Sequence, residues 1–260
     1  MRTMQTIDEQ LWAKKADLDT LRPIAPQSYE ALAKWYDVEL TYTSNAIEGN
    51  SLTRAETAIV LEKGITVSGK PLRDHMEAVG HKDALDYVRD LARRDEPIRE
   101  LDVRQIHRLV MGRTDPEEAG NYSQHARLIA GSPLTLPSPA EIGPLMGDFG
   151  QWLSRAKPSA ETAFAAHEKL VTIHPFSDGN GRTSRLLMNV VLLKSGYPPV
   201  VIGPEQRVEY IYGLEALQLR GDAQPYRTFM AGRLEASLDR HLSILRQSLN
   251  QDVNPNRRTV

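Results

Sequence analysis

Apolar residues recur along most of this chain at the three-to-four residue spacing of helices, and runs of alternating valine and isoleucine are scarce. The pattern predicts helices over 8–20 and 28–48, parted by Pro23 and Pro26. Thr53, with Glu56 three residues on, reads as a capping box opening a third helix that ends at Gly64. Further helices are predicted over roughly 72–93, from near Leu101 to Gly112, and over about 140–155, 159–173 and 180–195. After the Pro198-Pro199 break come 204–220 and a last amphipathic helix over about 223–249, with QDVNPNRRTV as a frayed tail.

Between 113 and 140 the pattern changes. Pro116, Gly120, Gly131, Pro133, Pro137 and Pro139 surround the short apolar run Ala126-Arg127-Leu128-Ile129-Ala130, which predicts a β-hairpin or an extended flap. It is the only strand-like stretch. No repeat or long linker interrupts the chain, so the expected fold class is all-α, one helical domain with an N-terminal helical extension.

With 40% apolar and 25% charged residues, the 260-residue chain has a globular composition, which excludes disordered and collagen-like classes. A net charge of -2 and the lack of an aromatic-interleaved basic patch give no reason to expect nucleic acid or membrane as a partner. The absence of cysteine removes disulfides, thiolate-bound metals and thiol nucleophiles. MRTMQTIDEQLWAKK carries charges where a signal peptide needs an apolar stretch, and the greasiest run, from Leu186, is too short to span a bilayer. A cytoplasmic location is expected.

Two motif-like stretches fail on chemistry. Gly64 to Lys70 has the glycine and lysine spacing of a phosphate-binding loop, but Pro71 stands where a magnesium-ligating hydroxyl belongs, so the segment reads as a helix cap and a loop. His167-Glu168 opens like a zinc-protease helix, yet the residue four after His167 is Val171, and His167 reads instead as a polar anchor behind His174. His75, His81, His107, His125 and His241 are isolated and read as structural or solvated.

Chemistry concentrates in His174-Pro175-Phe176-Ser177-Asp178-Gly179-Asn180-Gly181-Arg182-Thr183-Ser184-Arg185. Gly179 and Gly181 let the backbone turn its N–H groups onto an anion, and a helix starting near Asn180 adds its positive end. Arg182 and Arg185 share a helix face and can fork onto successive phosphates. Asp178 offers a hard oxygen to Mg²⁺, and His174 a base that titrates near neutrality. Together they describe phosphoryl or nucleotidyl transfer.

The run resembles the signature of the Fic (filamentation induced by cyclic AMP) family, H-x-F-x-[DE]-G-N-G-R-x-x-R, with every specified position filled. Ala163 and His167 before it, Arg185-Leu186-Leu187-Met188-Asn189 and Gly196-Tyr197-Pro198-Pro199 after it, and Gly120-Asn121-Tyr122 upstream extend the likeness over roughly 100–232. Ser44-Asn45-Ala46-Ile47-Glu48-Gly49 resembles the inhibitory motif [ST]-x-x-x-E-[GN] of Fic proteins that carry an inhibitory helix before the core. The resemblance implies a Fic-type helical bundle with one hairpin flap, divided into an inhibitory region 1–99, a catalytic core 100–232 and a C-terminal helix and tail 233–260.

It also implies an activity, transfer of AMP from ATP to a Ser, Thr or Tyr hydroxyl of a target protein. In that scheme His174 is the base, Asp178 holds Mg²⁺, and Gly179, Asn180 and Gly181 form the anion hole. Arg182 contacts the β and γ phosphates, and Arg185 binds the γ-phosphate or pairs with Glu48, assisted by Ser44 and Gly49. Phe176 anchors the loop, Tyr210 and Gln218 stand on the adenosine side, and Leu128, Ile129, Ala130 and Gly131 form a flap that holds the target. Gly181 favours nucleotidyl transfer, since the phosphorylating relatives carry lysine there, whereas Ser123 departs from the arginine usual after Gly-x-Tyr. Alternatives are hydrolytic removal of AMP with Glu48 aligning water, transfer of phosphate, UMP or GMP, and a non-catalytic regulator or toxin–antitoxin partner. A homodimer is expected from the same likeness.

Overall fold

The computed structural model describes residues 4–129 and 131–253. In chain order the helices are α1 (Met4–Thr20), α2 (Pro26–Ile47), α3 (Arg54–Lys63), α4 (Leu72–Arg93), α5 (Glu100–Met111), α6 (Pro139–Arg155), α7 (Ala160–Ile173), α8 (Asn180–Lys194), α9 (Arg207–Arg220) and α10 (Gln224–Val253), with a 3₁₀ turn at Pro204–Gln206. α10 runs past its predicted end into the tail, of which 254–260 lie outside the described residues.

α8 organises the rest. Its sequence, NGRTSRLLMNVVLLK, offers no continuous polar face beyond its first turns, and a helix apolar all round must be covered. Arg182 through Leu192 are all buried. α7, α4 and α5 pack against α8, α2 reaches it as well, and α9, α10 and α1 pack in succession. One apolar core runs from Leu11 on α1 to Leu245 on α10, and Leu52, Val60 and Ala78 make a small second cluster.

The helix ends follow local chemistry. Glu56 N–H donates to Thr53 Oγ1 (3.2 Å) and Thr53 N–H to Glu56 Oε2 (2.7 Å), the reciprocal capping box. Gly64 closes α3 in the left-handed conformation, and Lys70 turns back to the Ser51 carbonyl, so the Gly64–Lys70 stretch is a cap and a loop.

The expected hairpin is corrected: among the described residues no β-strand forms, and 113–129 and 131–138 are turn and loop. Pro133 and Pro137 remove ladder donors, Pro139 starts α6, and Leu128 is 92% exposed, so the segment buries no apolar face that could repay strand pairing. The extended alternative describes it: Arg127 Nη2 spans the loop to the Pro137 carbonyl at 2.9 Å, and a turn joins Ser132 N–H to the Ile129 carbonyl at 3.1 Å. Among the described residues no helix is long and apolar enough to cross a membrane.

Candidate active site

The loop joining α7 to α8 is held in an uncommon shape. His174 ends α7 with φ 50 and ψ 56, the one non-glycine residue of positive φ among those described, a conformation that costs of order 1–3 kcal/mol. Its surroundings over-determine it. Phe176 is fully buried and stacks on His107 with ring centroids 3.6 Å apart. Asn180 clamps the loop from within, accepting from Phe176 N–H (3.0 Å) and donating to the Phe176 carbonyl (2.8 Å). Its side chain is thereby committed, and only its backbone N–H is left for an anion.

His107 ties this loop to the flap. Its Nδ1 accepts from Gly120 N–H at 2.8 Å, so the proton sits on Nε2 and is donated to the Asp178 carbonyl at 3.0 Å. Burial pushes its pKa down to about 4. Read in sequence, His107 is one of several isolated histidines, because its partner Asp178 lies 71 residues away.

At His174 the proton position is also set. Nδ1 faces the Val171 carbonyl at 3.3 Å and must carry the hydrogen, which leaves the Nε2 lone pair outward. Burial, helped by the Arg127 charge, holds the imidazole below its ordinary pKa, against the opposing pull of the Val171 carbonyl, Glu48 and Asp178. A neutral imidazole with a free Nε2 can take a proton.

The start of α8 forms the anion-facing side. Gly179, with φ 73, caps it, and Asp178 Oδ1 accepts the Gly179 N–H at 2.6 Å. A Cβ at Gly181 would collide with Glu48 Oε1 and stand 3.0 Å from Arg185 Nη1, so any larger residue there would have to displace the ends of these two side chains. Arg182 is buried. Its Nη1 lies 3.5 Å from Glu77 and its Nη2 3.6 Å from Asp178, yet Nε and Nη1 have no hydrogen-bond partner among the described residues. Buried donors without acceptors fit a phosphate oxygen. Asp178, 56% exposed and 3.4 Å from Arg73 Nη2, fits Mg²⁺, which favours one or two carboxylates plus substrate phosphates. Sequence reasoning missed Glu77 and Arg73, which α4 brings here, and Asn50, whose side chain bonds Glu77 at 2.9 Å from the end of α2.

On the other side of α8, α2 presents Ser44 and Glu48, one helical turn apart, to Arg185. Arg185 Nε donates to Ser44 Oγ (3.0 Å), and Nη2 to the Ser44 carbonyl (2.9 Å) and to Glu48 Oε1 (2.7 Å). Gly49, with φ 97, turns the chain away so that α2 stops with its last carboxylate on the guanidinium.

The remaining residues make contacts of their own. Tyr210 is 2% exposed, with its hydroxyl bonded to His167 at 2.7 Å. Gln218 Nε2 bonds Thr172 Oγ1 at 2.9 Å. Leu128 and Gly131 are exposed and Ile129 half-buried, while Ala130 lies outside the described residues. Arg127, another residue sequence reasoning passed over, has buried Nε and Nη1 atoms without partners among the described residues.

Burial holds His81 and His167 down to about 3 and His107 and His241 down to about 4. Unfolded imidazoles take up protons near the ordinary 6.5, which these four in the folded state do not. Stability is therefore complete above pH 6.5 and drains as the pH falls toward 4. Thermal unfolding followed by circular dichroism should show a melting temperature falling steadily across that window. A flat profile would mean the imidazoles are not held neutral.

A model of the Fic/DOC family matches residues 97–192. The chain is 37% identical over 247 residues to the protein adenylyltransferase Fic of Drosophila willistoni, covering 92% of this chain and 49% of that protein; the chain thus spans about half the length of such relatives. Among solved structures, Fic-1 (residues 134–508) from C. elegans superposes with a TM-score of 0.80 at 32% identity, over 92% of this chain and 71% of that one. A Fic domain containing signaling protein from Bacteroides thetaiotaomicron gives 0.83 at 27% identity, over 93% and 98%.

Proposed function

Because the chain belongs to the Fic/DOC family and has its helical bundle, we propose that it transfers AMP from ATP to a Ser, Thr or Tyr hydroxyl of a target protein, and that Glu48 holds it inactive. The observation that carries this is the pairing, across one helix start, of a neutral His174 with a free Nε2 and an Arg185 already taken by Glu48 at 2.7 Å.

In the reaction His174 Nε2 removes the proton of the target hydroxyl as its oxygen attacks the α-phosphorus, and the bond to pyrophosphate breaks. The N–H groups of Asn180 and Gly181 and the buried donors of Arg182 receive phosphate oxygens, and Arg185 receives the γ-phosphate once Glu48 withdraws. Mg²⁺, held by Asp178 with the phosphates, would supply charge neutralisation. Phe176 and Asn180 keep the loop in register, the flap at 128–131 would offer backbone to an extended target segment, and Gln218 would stand on the adenosine side. In this reading 1–99 carries the inhibitory helix, 100–232 the catalytic core and 233–260 the closing helix and tail. A homodimer belongs to the same reading.

The test uses Glu48→Gly protein and ATP labelled at either end. Label from the α-position should enter protein. Label from the γ-position alone would move the reading to phosphoryl transfer, and none from either would sink it. Because His174 sits below its ordinary pKa, the acid limb of kcat/KM should fall below pH 6.5, with full activity at neutrality. An acid limb at or above 6.5 would mean that another group is the base.

Removal of AMP is a second reading favoured by one observation: the Glu48 carboxylate reaches both Arg185 and the field at His174, where it would orient water. Release of AMP from a pre-modified target by wild-type protein, lost in Glu48→Gly, is its test.

A further inference from the structure

Behind Arg185 lies a buried row of polar groups that the proposed transfer does not use. Tyr210, His167 and Tyr226 come from α9, α7 and α10, and each is 2% exposed or less. The Tyr210 hydroxyl is 2.7 Å from His167 Nε2, the Tyr226 hydroxyl 2.9 Å from His167 Nδ1, and the Tyr226 hydroxyl 2.9 Å from the Phe164 carbonyl. The Arg185 guanidinium lies beside the same Tyr210 hydroxyl.

One arrangement of protons satisfies all of these contacts. A carbonyl can only accept, so Tyr226 gives its hydrogen to Phe164. Tyr226 oxygen must then accept from His167, which puts the imidazole proton on Nδ1. Burial keeps this ring neutral, down to a pKa of about 3, so Nε2 has no proton and accepts from Tyr210. With its hydrogen committed to His167, Tyr210 turns its lone pairs toward Arg185. The order of protons, set by a carbonyl on α7, thus decides whether a buried guanidinium meets an acceptor or a donor.

We infer that His167 and Tyr226 are positioning residues for Arg185: they hold the Tyr210 hydroxyl as an acceptor and so fix the guanidinium that both Glu48 and the γ-phosphate would grip. The consequence for nucleotide rests on the proposed AMP transfer; the relay itself does not. Removing the Tyr226 hydroxyl leaves His167 Nδ1–H buried without an acceptor, which favours the other tautomer. The ring would then donate from Nε2, and Tyr210 would point its own hydrogen at the cation. Tyr226→Phe keeps the ring and its packing, so the effect is one of polarity.

The experiment compares Glu48→Gly with Glu48→Gly/Tyr226→Phe, because without Glu48 the relay and Ser44 alone hold Arg185. Nitrogen NMR of the imidazoles should find His167 protonated on Nδ1 in the first protein and on Nε2 in the second. Exchange of the Arg185 guanidinium hydrogens should speed up about tenfold, the equivalent of 1.4 kcal/mol. ATP affinity, measured by calorimetry, should drop about tenfold while ADP affinity, with no γ-phosphate to lose, stays put. General damage would lower both nucleotides together. If the tautomer and the exchange rate are unchanged, the inference is overturned whatever the nucleotides do. If both change but ATP and ADP respond alike, or neither binds, the relay stands and the assignment of Arg185 to the γ-phosphate fails. Should Tyr226→Phe not fold, His167→Phe removes the acceptor for Tyr210 directly: faster exchange and a lower ATP-to-ADP affinity ratio would support the relay, and an unchanged exchange rate would overturn it.

Discussion

Glu48→Gly is expected to raise AMP transfer by about a hundredfold over the wild-type protein, the cost of misplacing a reacting group by about 1 Å. The carboxylate acts twice. It binds Arg185 Nη2 at 2.7 Å, and it fills the space over Gly181 so closely that even a Cβ there would strike it. A γ-phosphate seeking the same guanidinium meets both a like charge and an occupied volume. Under the proposed transfer, nucleotide bound around that obstacle would have its α-phosphorus out of line with a hydroxyl activated at His174. Glycine removes charge and volume together, whereas Glu48→Gln removes only the charge and keeps an amide oxygen that Arg185 can hold. The expected order of activity is therefore Glu48→Gly above Glu48→Gln above wild type. Intact-mass spectrometry after incubation with Mg-ATP reads this directly, as an AMP adduct on the variants. An adduct of equal size on wild type would end the inhibitory role given to Glu48.

What could be read from the chain depended on how far apart the interacting residues lie. The stretch from His174 to Arg185 is contiguous, so its glycines, carboxylate and arginines announce an anion site before any fold is known. Ser44 and Glu48 are four apart on a helix, and their shared direction follows from that spacing alone. Helices with clear caps, such as α3 between Thr53 and Gly64, were equally legible. Glu77 and Arg73 were not, because only the packing of α4 against α8 brings them to Arg182 and Asp178. His107 and Tyr226 were silent for the same reason, each acting through a partner at least 59 residues away. The flap misled in the opposite sense. Its short apolar run suggests pairing, but the prolines leave too few donors for a ladder. The Tyr210 hydroxyl bonds His167, a partner 43 residues away that its own sequence neighbourhood does not announce.

Replacing His174 should abolish transfer in the wild-type and Glu48→Gly backgrounds alike, by about a hundred- to ten-thousandfold against Glu48→Gly. The reason is the position of one lone pair. With Nδ1–H turned to the Val171 carbonyl, Nε2 is the basic atom the geometry leaves free at the end of α7. The choice of replacement matters, because φ 50 penalises any residue with a Cβ, and asparagine tolerates it better than alanine. His174→Asn should keep the loop and bind ATP as Glu48→Gly does, yet transfer nothing. His174→Gly should be equally inactive but no less stable than its parent, since glycine relieves the left-handed strain that histidine carries. Equal ATP affinity by calorimetry, a melting temperature held or raised in His174→Gly, and no adduct by mass would together assign the loss to chemistry. A melting temperature that drops well below the parent would instead mean that the imidazole is there to hold the loop, and that the strained backbone at His174 has a structural cause. The strain is informative for that reason: a fold free to choose would put glycine or asparagine at this φ. Under the proposed transfer, histidine there gives up stability for a neutral base at one fixed point beside the start of α8.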